Sequence, residues 1–241
     1  CHINSNFKKL YKKFCPGPIS FVLKLKKNSS ISKNVTNNKN TIAVRFPKHP
    51  MTRNLLKKLK FPLAAPSANI SKSVSPVTKG DVIDEFGNRI KFILNGGRTK
   101  IGLESTIIDI RNKPKILRLG GLEISTIEKA LNKKITIYKN PLKISSPGQF
   151  KLHYSPGIPI RLNVKKINKE EAYLSIKNMR QKKANFYFLS RDGNLKEAAK
   201  NLYSTLREIK NRKYKSISVK KIPNKGLGKT INDRLKRASK F

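Results

Sequence analysis

The sequence is poor in the residues that build disulfide frameworks and metal sites. It holds only two cysteines, Cys1 and Cys15, which form no CxxC pair and predict neither a disulfide framework nor a cysteine-rich zinc site. The three histidines, at positions 2, 49 and 153, lack the spacing of metal ligands. These absences predict a chain of the reducing cytosol without structural zinc.

Long apolar runs are also absent. No stretch approaches the roughly 18 apolar residues that a membrane span requires, and no signal-peptide hydrophobic region opens the sequence. The sequence begins with Cys1 instead of methionine, and we expect further residues to precede it in the native polypeptide.

Acidic residues are scarce. Asp and Glu number 13 against 55 Lys and Arg, which gives a formal net charge of +42. Such a balance is typical of proteins that bind nucleic acid. However, the lysines are spread along the whole chain, and Asn and Ile, whose codons are also A/T-rich, are abundant too. Two interpretations therefore stay open, a basic surface for RNA or a genome-wide drift in composition.

The first part of the chain alternates between strand and helix patterns, which predicts an α/β sheet domain. Helices are predicted at Phe7–Phe14, from Pro50, after the N-cap Thr78, and at 125–131, where Ser125 and Glu128 form a capping-box pattern. Strands are predicted at residues 21–25, 41–46, 63–65, 90–94, 106–110 and 116–119.

After a Pro-, Ser- and Gly-rich stretch, the alternation of strand and helix resumes. Strands are predicted at 159–162, 186–188 and 217–219, and helices around Ala172, Ile176 and Met179, at 198–206 and at 230–238. We therefore predict a domain at 1–139, a linker at 140–157 and a smaller Rossmann-like α/β domain at 158–241.

Several short strings offer groups that could bind anions. The loop from Pro66 to Ser71 carries Ser67 and Asn69 after small residues that let a ligand approach the backbone. Arg45 ends a predicted strand, where a guanidinium can grip a carboxylate with two parallel bonds, and Arg118 precedes Gly120-Gly121. An ordinary Ser/Asn turn and solvated arginines explain the same residues equally simply. No phosphate-binding GxxxxGK[ST] loop, HExxH helix or hydrolase triad order is present.

Taken in order, the strings PGPISFVL, TIAVRFPKHP, LAAPSANISKSVSP, ILNGG, GLESTIIDI and ILRLGG resemble those of the threonylcarbamoyl-AMP synthase family. LHYSP and GLGKTINDRLKRA resemble the linker and closing helix of its two-domain members. The resemblance covers essentially the whole chain. It implies a twisted mixed-sheet YrdC-like domain, a linker that acts as a lid, and the smaller second domain.

The resemblance also assigns roles to individual residues. It implies that His2, Arg45, Ala65 and Ser105 surround L-threonine, with Arg45 on its carboxylate. It implies that ATP is contacted by a second set, comprising Thr41, Ser67, Asn69, Arg118 and Tyr154. These residues are then expected to converge on one cleft. The family's upstream segment with Lys and Arg-Pro motifs is expected to be missing here, so residues 1–241 alone are expected to be nearly inactive.

The implied reaction joins L-threonine, bicarbonate or CO2, and ATP with Mg2+ into threonylcarbamoyl-AMP and pyrophosphate. The implied partner is a transferase that modifies tRNA beside the anticodon, in the cytoplasm and away from membranes. Two rival functions stay open. A carbamoyl-adenylate-forming enzyme of hydrogenase maturation shares the sheet but carries Cys-rich zinc modules, and a non-catalytic RNA-binding protein fits the charge.

Overall fold

The computed structural model describes residues 1–138, 153–178 and 184–240, which form two compact units. The first unit comprises Cys1–Pro66 and Glu104–Gln149, and the second comprises Ser67–Leu103 and Phe150–Phe241. The units are thus discontinuous in sequence, whereas the predicted domains are contiguous. Most of the predicted linker lies outside the described residues, and the predicted boundaries stay predictions.

The first unit contains a mixed five-stranded sheet in the order β2-β1-β3-β4-β5. Strand β1 pairs antiparallel with β2 and parallel with β3, and β4 lies antiparallel to β3 and parallel to β5. The strands are β1 (Ile19–Lys24), β2 (Thr41–Arg45), β3 (Thr106–Asp109), β4 (Lys115–Arg118) and β5 (Thr136–Ile137), and the helices are α1 (Ser5–Phe14), α2 (Lys33–Thr36), α3 (Pro50–Lys58) and α5 (Ile124–Leu131). The predicted mixed α/β sheet is confirmed.

Alternation along β1 gives the sheet one apolar face. Ile19, Phe21 and Leu23 point to the same side because successive side chains of a strand alternate, and they belong to one buried cluster with Phe7 and Leu10 of α1. The side chain of Asn4 caps α1 by accepting a hydrogen bond from the Phe7 amide at 2.9 Å. Helix α1 therefore covers one face and leaves Ser20 on the other.

Two predicted strands do not form. Residues 63–65 and 90–94 are irregular, and their apolar side chains are exposed, Leu63 to 49% and Phe92 to 89%. A short segment gains strand structure only by pairing with a neighbour, and the local pattern does not reveal whether a neighbour exists. Both predictions are wrong for this reason.

The second unit contains a parallel four-stranded sheet in the order β6-β9-β7-β8. Its strands are β6 (Ile160–Leu162), β7 (Glu171–Lys177), β8 (Phe186–Ser190) and β9 (Ser216–Val219), and its helices are α4 (Lys79–Phe86), α6 (Leu195–Asn211) and α7 (Gly228–Ala238). Val74, Val77 and Tyr154 pack into the same core as α6 and α7. The predicted second α/β fold is confirmed, with a parallel sheet of its own.

The helix predicted around Ala172, Ile176 and Met179 is wrong at the first two positions, because they lie in strand β7. Met179 lies outside the described residues. Five consecutive residues from Glu171 to Ser175 are buried. A central parallel strand is covered on both faces and therefore reads as a continuous buried run without alternation. The four-residue spacing of Ala172 and Ile176 imitated a helical period.

The ends of the helices partly follow the sequence signals. Thr78 and Asp81 form a capping box at the start of α4, and Gly87 ends it, as their pattern predicts. Helix α5 instead begins at Ile124 after the N-cap Glu123, so the capping box predicted at Ser125 is wrong. No helix in the described part of the chain is both long enough and apolar enough to cross a membrane.

A buried carboxylate holds the amino-terminal edge of the second sheet. Glu171, exposed to only 5%, accepts hydrogen bonds from Arg161 on β6 at 2.8 Å and from Ser216 and Ser218 on β9, both at 2.7 Å. The Asn168 amide adds a further bond at 3.2 Å. These bonds, led by that of the Arg161 guanidinium, lower the pKa of Glu171 from 4.5 to about 2.

Candidate functional site

Two serines and an arginine from different strands meet at one end of the first sheet. The hydroxyls of Ser20 on β1 and Ser105, just before β3, lie 2.7 Å apart, and both residues are buried. Arg118 on β4 donates from Nε and Nη2 to the Ser105 carbonyl at 3.2 and 2.9 Å, and from Nη2 to the Ser105 hydroxyl at 3.2 Å. Three strands thus fix the position of one serine.

Arg45 lies directly across from Ser20. The antiparallel register of β1 and β2 pairs these two residues, so their side chains leave the same face of the sheet. Arg45 is exposed, and no acidic or carbonyl partner for its guanidinium exists among residues 1–138, 153–178 and 184–240. We refer to Ser20, Arg45, Ser105 and Arg118 as the serine–arginine cluster.

The cluster is suited to an anion. An arginine without a protein partner presents a planar fork that matches a carboxylate or a phosphate, and Arg45 carries a positive charge at this end of the sheet. The buried hydroxyls of Ser20 and Ser105 can each donate or accept. The arrangement can therefore bind a carboxylate and a neighbouring polar group of a small molecule.

His2 and Thr41 lie at the opposite end of the same sheet. The His2 amide donates to the Lys24 carbonyl at 2.9 Å, and Thr41 pairs with Lys24 in the register of β1 and β2. Lys24 is four residues along β1 from Ser20, which corresponds to about 13 Å at 3.3 Å per residue. The structure therefore does not bring His2 or Thr41 to the cluster, and the contacts predicted for them stay predictions.

A cavity of about 350 Å³ lies at that opposite end, and His2, Lys24, Asn40 and Arg111 are among its lining residues. Ala65 lies elsewhere in the first unit, in an exposed irregular segment. Its predicted contact with threonine also stays a prediction.

Ser67, Asn69 and Tyr154 belong to the second unit. They lie on two segments of the chain that meet at a β-bridge. The Asn69 side chain donates to the carbonyls of Ile70 at 2.8 Å and Ser73 at 3.2 Å. Ser73 in turn forms a β-bridge with Ser155, the residue after Tyr154. The structure thus brings the Asn69 loop next to the segment of Tyr154, while Ser67 is exposed at the start of the loop.

The orientation of Asn69 limits what it can bind. Both bonds of its amide nitrogen are local, and its oxygen is buried without a hydrogen-bond partner among the residues that the structure describes. Asn69 itself is exposed to only 7%. An unpaired carbonyl oxygen accepts hydrogen bonds and does not donate them, so it suits a hydroxyl, an amino group or a hydrated cation better than a bare phosphate oxygen.

Tyr154 is packed into the core of the second unit, exposed to 1%. Its ring stacks on Tyr203 at 5.7 Å between centroids, and the Arg234 guanidinium lies 4.7 Å from its centre. Aromatic and cation–π contacts of this kind hold a ring in one orientation. The predicted contact between Tyr154 and ATP stays a prediction.

Comparison with known proteins shows which family this chain belongs to. A family model described as "Telomere recombination" matches residues 1–120, and one described as "Threonylcarbamoyl-AMP synthase, C-terminal domain" matches residues 122–240. The threonylcarbamoyl-AMP synthase of Pyrococcus abyssi is 31% identical to this chain, over 96% of the chain and 73% of the relative. The chain belongs to the threonylcarbamoyl-AMP synthase family.

Further comparisons extend the family assignment. The threonylcarbamoyl-AMP synthase of Bacillus subtilis is 32% identical over 96% of this chain and 72% of its own length. The crystal structure of P. abyssi Sua5 complexed with L-threonine superposes with a TM-score of 0.87 at 30% identity, covering 99% of this chain and 75% of that one. The two-domain architecture predicted from the family resemblance is confirmed.

Residue-level reasoning missed Ser20, although it lies inside one of the strings that carry the family resemblance. It is the one hydroxyl within a strand that is otherwise apolar up to Lys24, and a buried polar residue needs a hydrogen-bond partner. That interruption of an apolar run is the signal that could have found it. No group of three or more His, Cys, Asp or Glu able to hold a metal occurs within the described ranges.

Proposed function

We propose that this protein is an L-threonylcarbamoyladenylate synthase, a nucleotidyltransferase that joins L-threonine, bicarbonate and ATP. The observation that carries the proposal is the serine–arginine cluster, in a chain whose fold matches that of P. abyssi Sua5 in complex with L-threonine. A cationic fork beside two buried hydroxyls is complementary to the carboxylate and the side-chain hydroxyl of this amino acid.

Threonine recognition begins at Arg45. Its guanidinium binds the threonine carboxylate with two parallel hydrogen bonds, while Ser105 and its partner Ser20 bind the polar groups of the substrate. Arg118 is a positioning residue here, because two of its nitrogens hold the Ser105 carbonyl. His2 and Ala65 are assigned to the same substrate by family resemblance alone.

ATP enters as its magnesium complex, so that Mg2+ is part of the substrate. Family resemblance assigns the nucleotide to Thr41, Ser67, Asn69, Arg118 and Tyr154. The unpaired oxygen of Asn69 is suited to a ribose hydroxyl, the adenine amino group or a water of the hydrated Mg2+. The bridge between Ser73 and Ser155 joins the Asn69 loop to the Tyr154 segment, which supports assigning both to one nucleotide site.

The reaction proceeds in two steps. The threonine amine attacks bicarbonate or CO2 and forms a carbamate, with loss of water in the first case and of a proton in the second. A carbamate oxygen then attacks the α-phosphorus of ATP, and pyrophosphate leaves with the electron pair of the bond that breaks. The protein contributes positioning and charge stabilisation, because Arg45 holds threonine by its carboxylate and thereby lowers the entropic cost of bringing the carbamate to the α-phosphorus.

The product is a mixed anhydride that water hydrolyses. We therefore propose that a downstream transferase takes threonylcarbamoyl-AMP directly and modifies adenosine beside the tRNA anticodon. Both described cysteines are free, and burial raises the pKa of the Cys15 thiol to about 11, so that it is a poor nucleophile. Free thiols are typical of the cytoplasm, which we propose as the compartment.

The proposal is tested by incubating the full product of the gene that encodes these residues with ATP, Mg2+, L-threonine and bicarbonate. We expect pyrophosphate release and a product with the mass of threonylcarbamoyl-AMP. Reactions without threonine or with L-valine, which replaces the hydroxyl by a methyl group, are the controls. Formation of product without threonine, or no product at all, would contradict the proposal.

The rival functions predict other results in the same assay. A carbamoyl-adenylate-forming enzyme would form an adenylate from ATP and a carbamoyl donor without threonine. A non-catalytic RNA-binding protein would bind tRNA equally well with and without ATP and threonine, and would release no pyrophosphate.

A further inference from the structure

A second cavity, of about 300 Å³, lies in the second unit at the carboxyl ends of two parallel strands. Leu162 and Val219, the last residues of β6 and β9, pair in register and form part of its wall. The segment after β9 and one face of α7 complete the lining. Ligands of parallel sheets bind outside the carboxyl ends of the strands, where the loops that follow different strands meet.

The lining combines an apolar floor with a cationic rim. Ile222 and Leu235 are buried, whereas Lys220, Lys221 and Lys236 are exposed. No carboxylate is among the lining residues, all of which the structure describes. Lys221 and Lys236 bring two ammonium groups to the same cavity, and both attract an anion bound there.

Three asparagines add polar groups to the lining. Asn232 donates from its side chain to the Ile222 carbonyl at 3.2 Å, which ties α7 to the loop after β9. Asn163 follows β6 in a left-handed conformation with φ of 58°, and Asn224 lies in the loop. On the other wall, the Lys220 amide donates to the Leu174 carbonyl at 2.9 Å. These hydrogen bonds hold the backbone segments that line the cavity.

We propose that this cavity binds a nucleotide through its phosphate. Lysines bind phosphate as point charges, the asparagine amides can read ribose or base edges, and the apolar floor accepts a ring. The volume is at the lower end of small-molecule sites and fits one nucleotide. Two sources share this chemistry, a free mononucleotide such as ATP and one nucleotide of an RNA chain. The inference does not depend on the synthase activity of the first unit.

Two lysines away from the cavity serve as controls that distinguish a specific binding site from the general excess of lysine in this chain. Lys169 precedes β7 and Lys210 lies in the last turn of α6, so both lie toward the amino ends of the same sheet, and both are exposed. If the charge reflects composition alone, these two lysines and the cavity lysines should attract anions equally.

The experiment measures lysine acetylation by mass spectrometry in separate reactions with ATP, with an unmodified tRNA transcript, and without a probe. We expect Lys221 and Lys236 to be acetylated about threefold more slowly with a probe, because a bound phosphate keeps an ammonium protonated. Lys169 and Lys210 should be unchanged. Protection by ATP identifies a mononucleotide site, and protection by tRNA alone identifies RNA. Equal protection of all four lysines, or none, would overturn the proposal.

Variants give a second, independent measurement. K221Q/K236Q should weaken binding of the protecting probe about tenfold or more, whereas K169Q/K210Q should leave it unchanged. If the probe is RNA, the slope of log affinity against log salt should become shallower by about one to two for K221Q/K236Q, because two phosphate contacts are lost. Circular dichroism checks that both variants fold, and equal affinities of the two folded variants would overturn the proposal.

Discussion

The guanidinium of Arg118 holds the backbone of Ser105 across strands β3 and β4, with Nε at 3.2 Å and Nη2 at 2.9 Å from the carbonyl oxygen. The same Nη2 reaches the Ser105 hydroxyl, which also meets the hydroxyl of Ser20. The side chain proposed to contact threonine is therefore fixed before any substrate arrives, and such preorganisation lowers the cost of binding.

Arg118→Lys keeps the charge and removes this geometry. A lysine is a point charge that cannot reproduce a fork of bonds from two nitrogens, so we expect KM for threonine to rise about tenfold, a loss of about 1.4 kcal/mol. Steady-state kinetics with threonine varied gives the result. Arg111→Lys, which weakens the fork pair with Asp109 elsewhere on the sheet, is the control. Equal effects of the two variants would assign Arg118 a structural role only.

Arg45→Ala removes the guanidinium proposed to bind the threonine carboxylate. A charge-assisted hydrogen bond contributes about 1.5–3 kcal/mol, so threonine affinity should fall roughly ten- to a hundredfold while ATP affinity changes little. Calorimetric titration with each substrate measures both affinities. Arg53→Ala, an exposed arginine of α3, is the matched control. Unchanged threonine affinity would remove Arg45 from the site.

Ser20→Ala, Ser105→Ala and the double variant test the buried hydroxyl pair. Each single change leaves the other hydroxyl with one partner fewer, which costs about 1–3 kcal/mol of unfolding free energy when the group is buried. The double variant should cost less than the sum of the two, with a coupling of about 0.5–2 kcal/mol. Urea unfolding of the wild type, the two single variants and the double variant gives the four free energies of this double-mutant cycle. Additive losses would show that the 2.7 Å contact does not contribute to stability.

The convergence of Arg45, Ser105 and Arg118 could be predicted from the sequence only through family resemblance. Their meeting depends on the order β2-β1-β3-β4 and on the registers that place Arg45 opposite Ser20 and Arg118 opposite Ile107. Strand pairing of this kind joins residues far apart in the chain, and no local pattern encodes it. Individual strands such as β1 and β2 were predictable because their apolar runs are local.

The error at β7 has the same physical origin. Strand β7 imitated a helix because its burial on both faces hides the two-residue period. His2 was grouped with Arg45 by resemblance. Its amide bonds to the Lys24 carbonyl at the far end of β1, and its contact with threonine stays a prediction. Tertiary pairing decides where both residues lie, and the sequence around each of them carries no information about the partner.

Glu171 makes the stability of this protein depend on pH. Its pKa is about 2 in the folded protein against an ordinary value of 4.5. Between these values the unfolded chain binds a proton at this position and the folded chain does not, so acidification favours unfolding. The contribution of Glu171 is fully present above about pH 5 and is lost as pH falls from 4.5 towards 2.

Glu171→Gln keeps the size of the side chain and removes this titration. At pH 7 the variant should lose about 2–3 kcal/mol of unfolding free energy, since one pKa unit corresponds to about 1.4 kcal/mol, and the deficit should shrink as pH falls through the stated window. Glu170→Gln breaks only an exposed ion pair with Lys215, which contributes little, and is the matched control. Urea unfolding from pH 7 to 2.5 measures both variants. A deficit that does not change with pH would mean that the bonds from Arg161, Ser216 and Ser218 do not depress the Glu171 pKa.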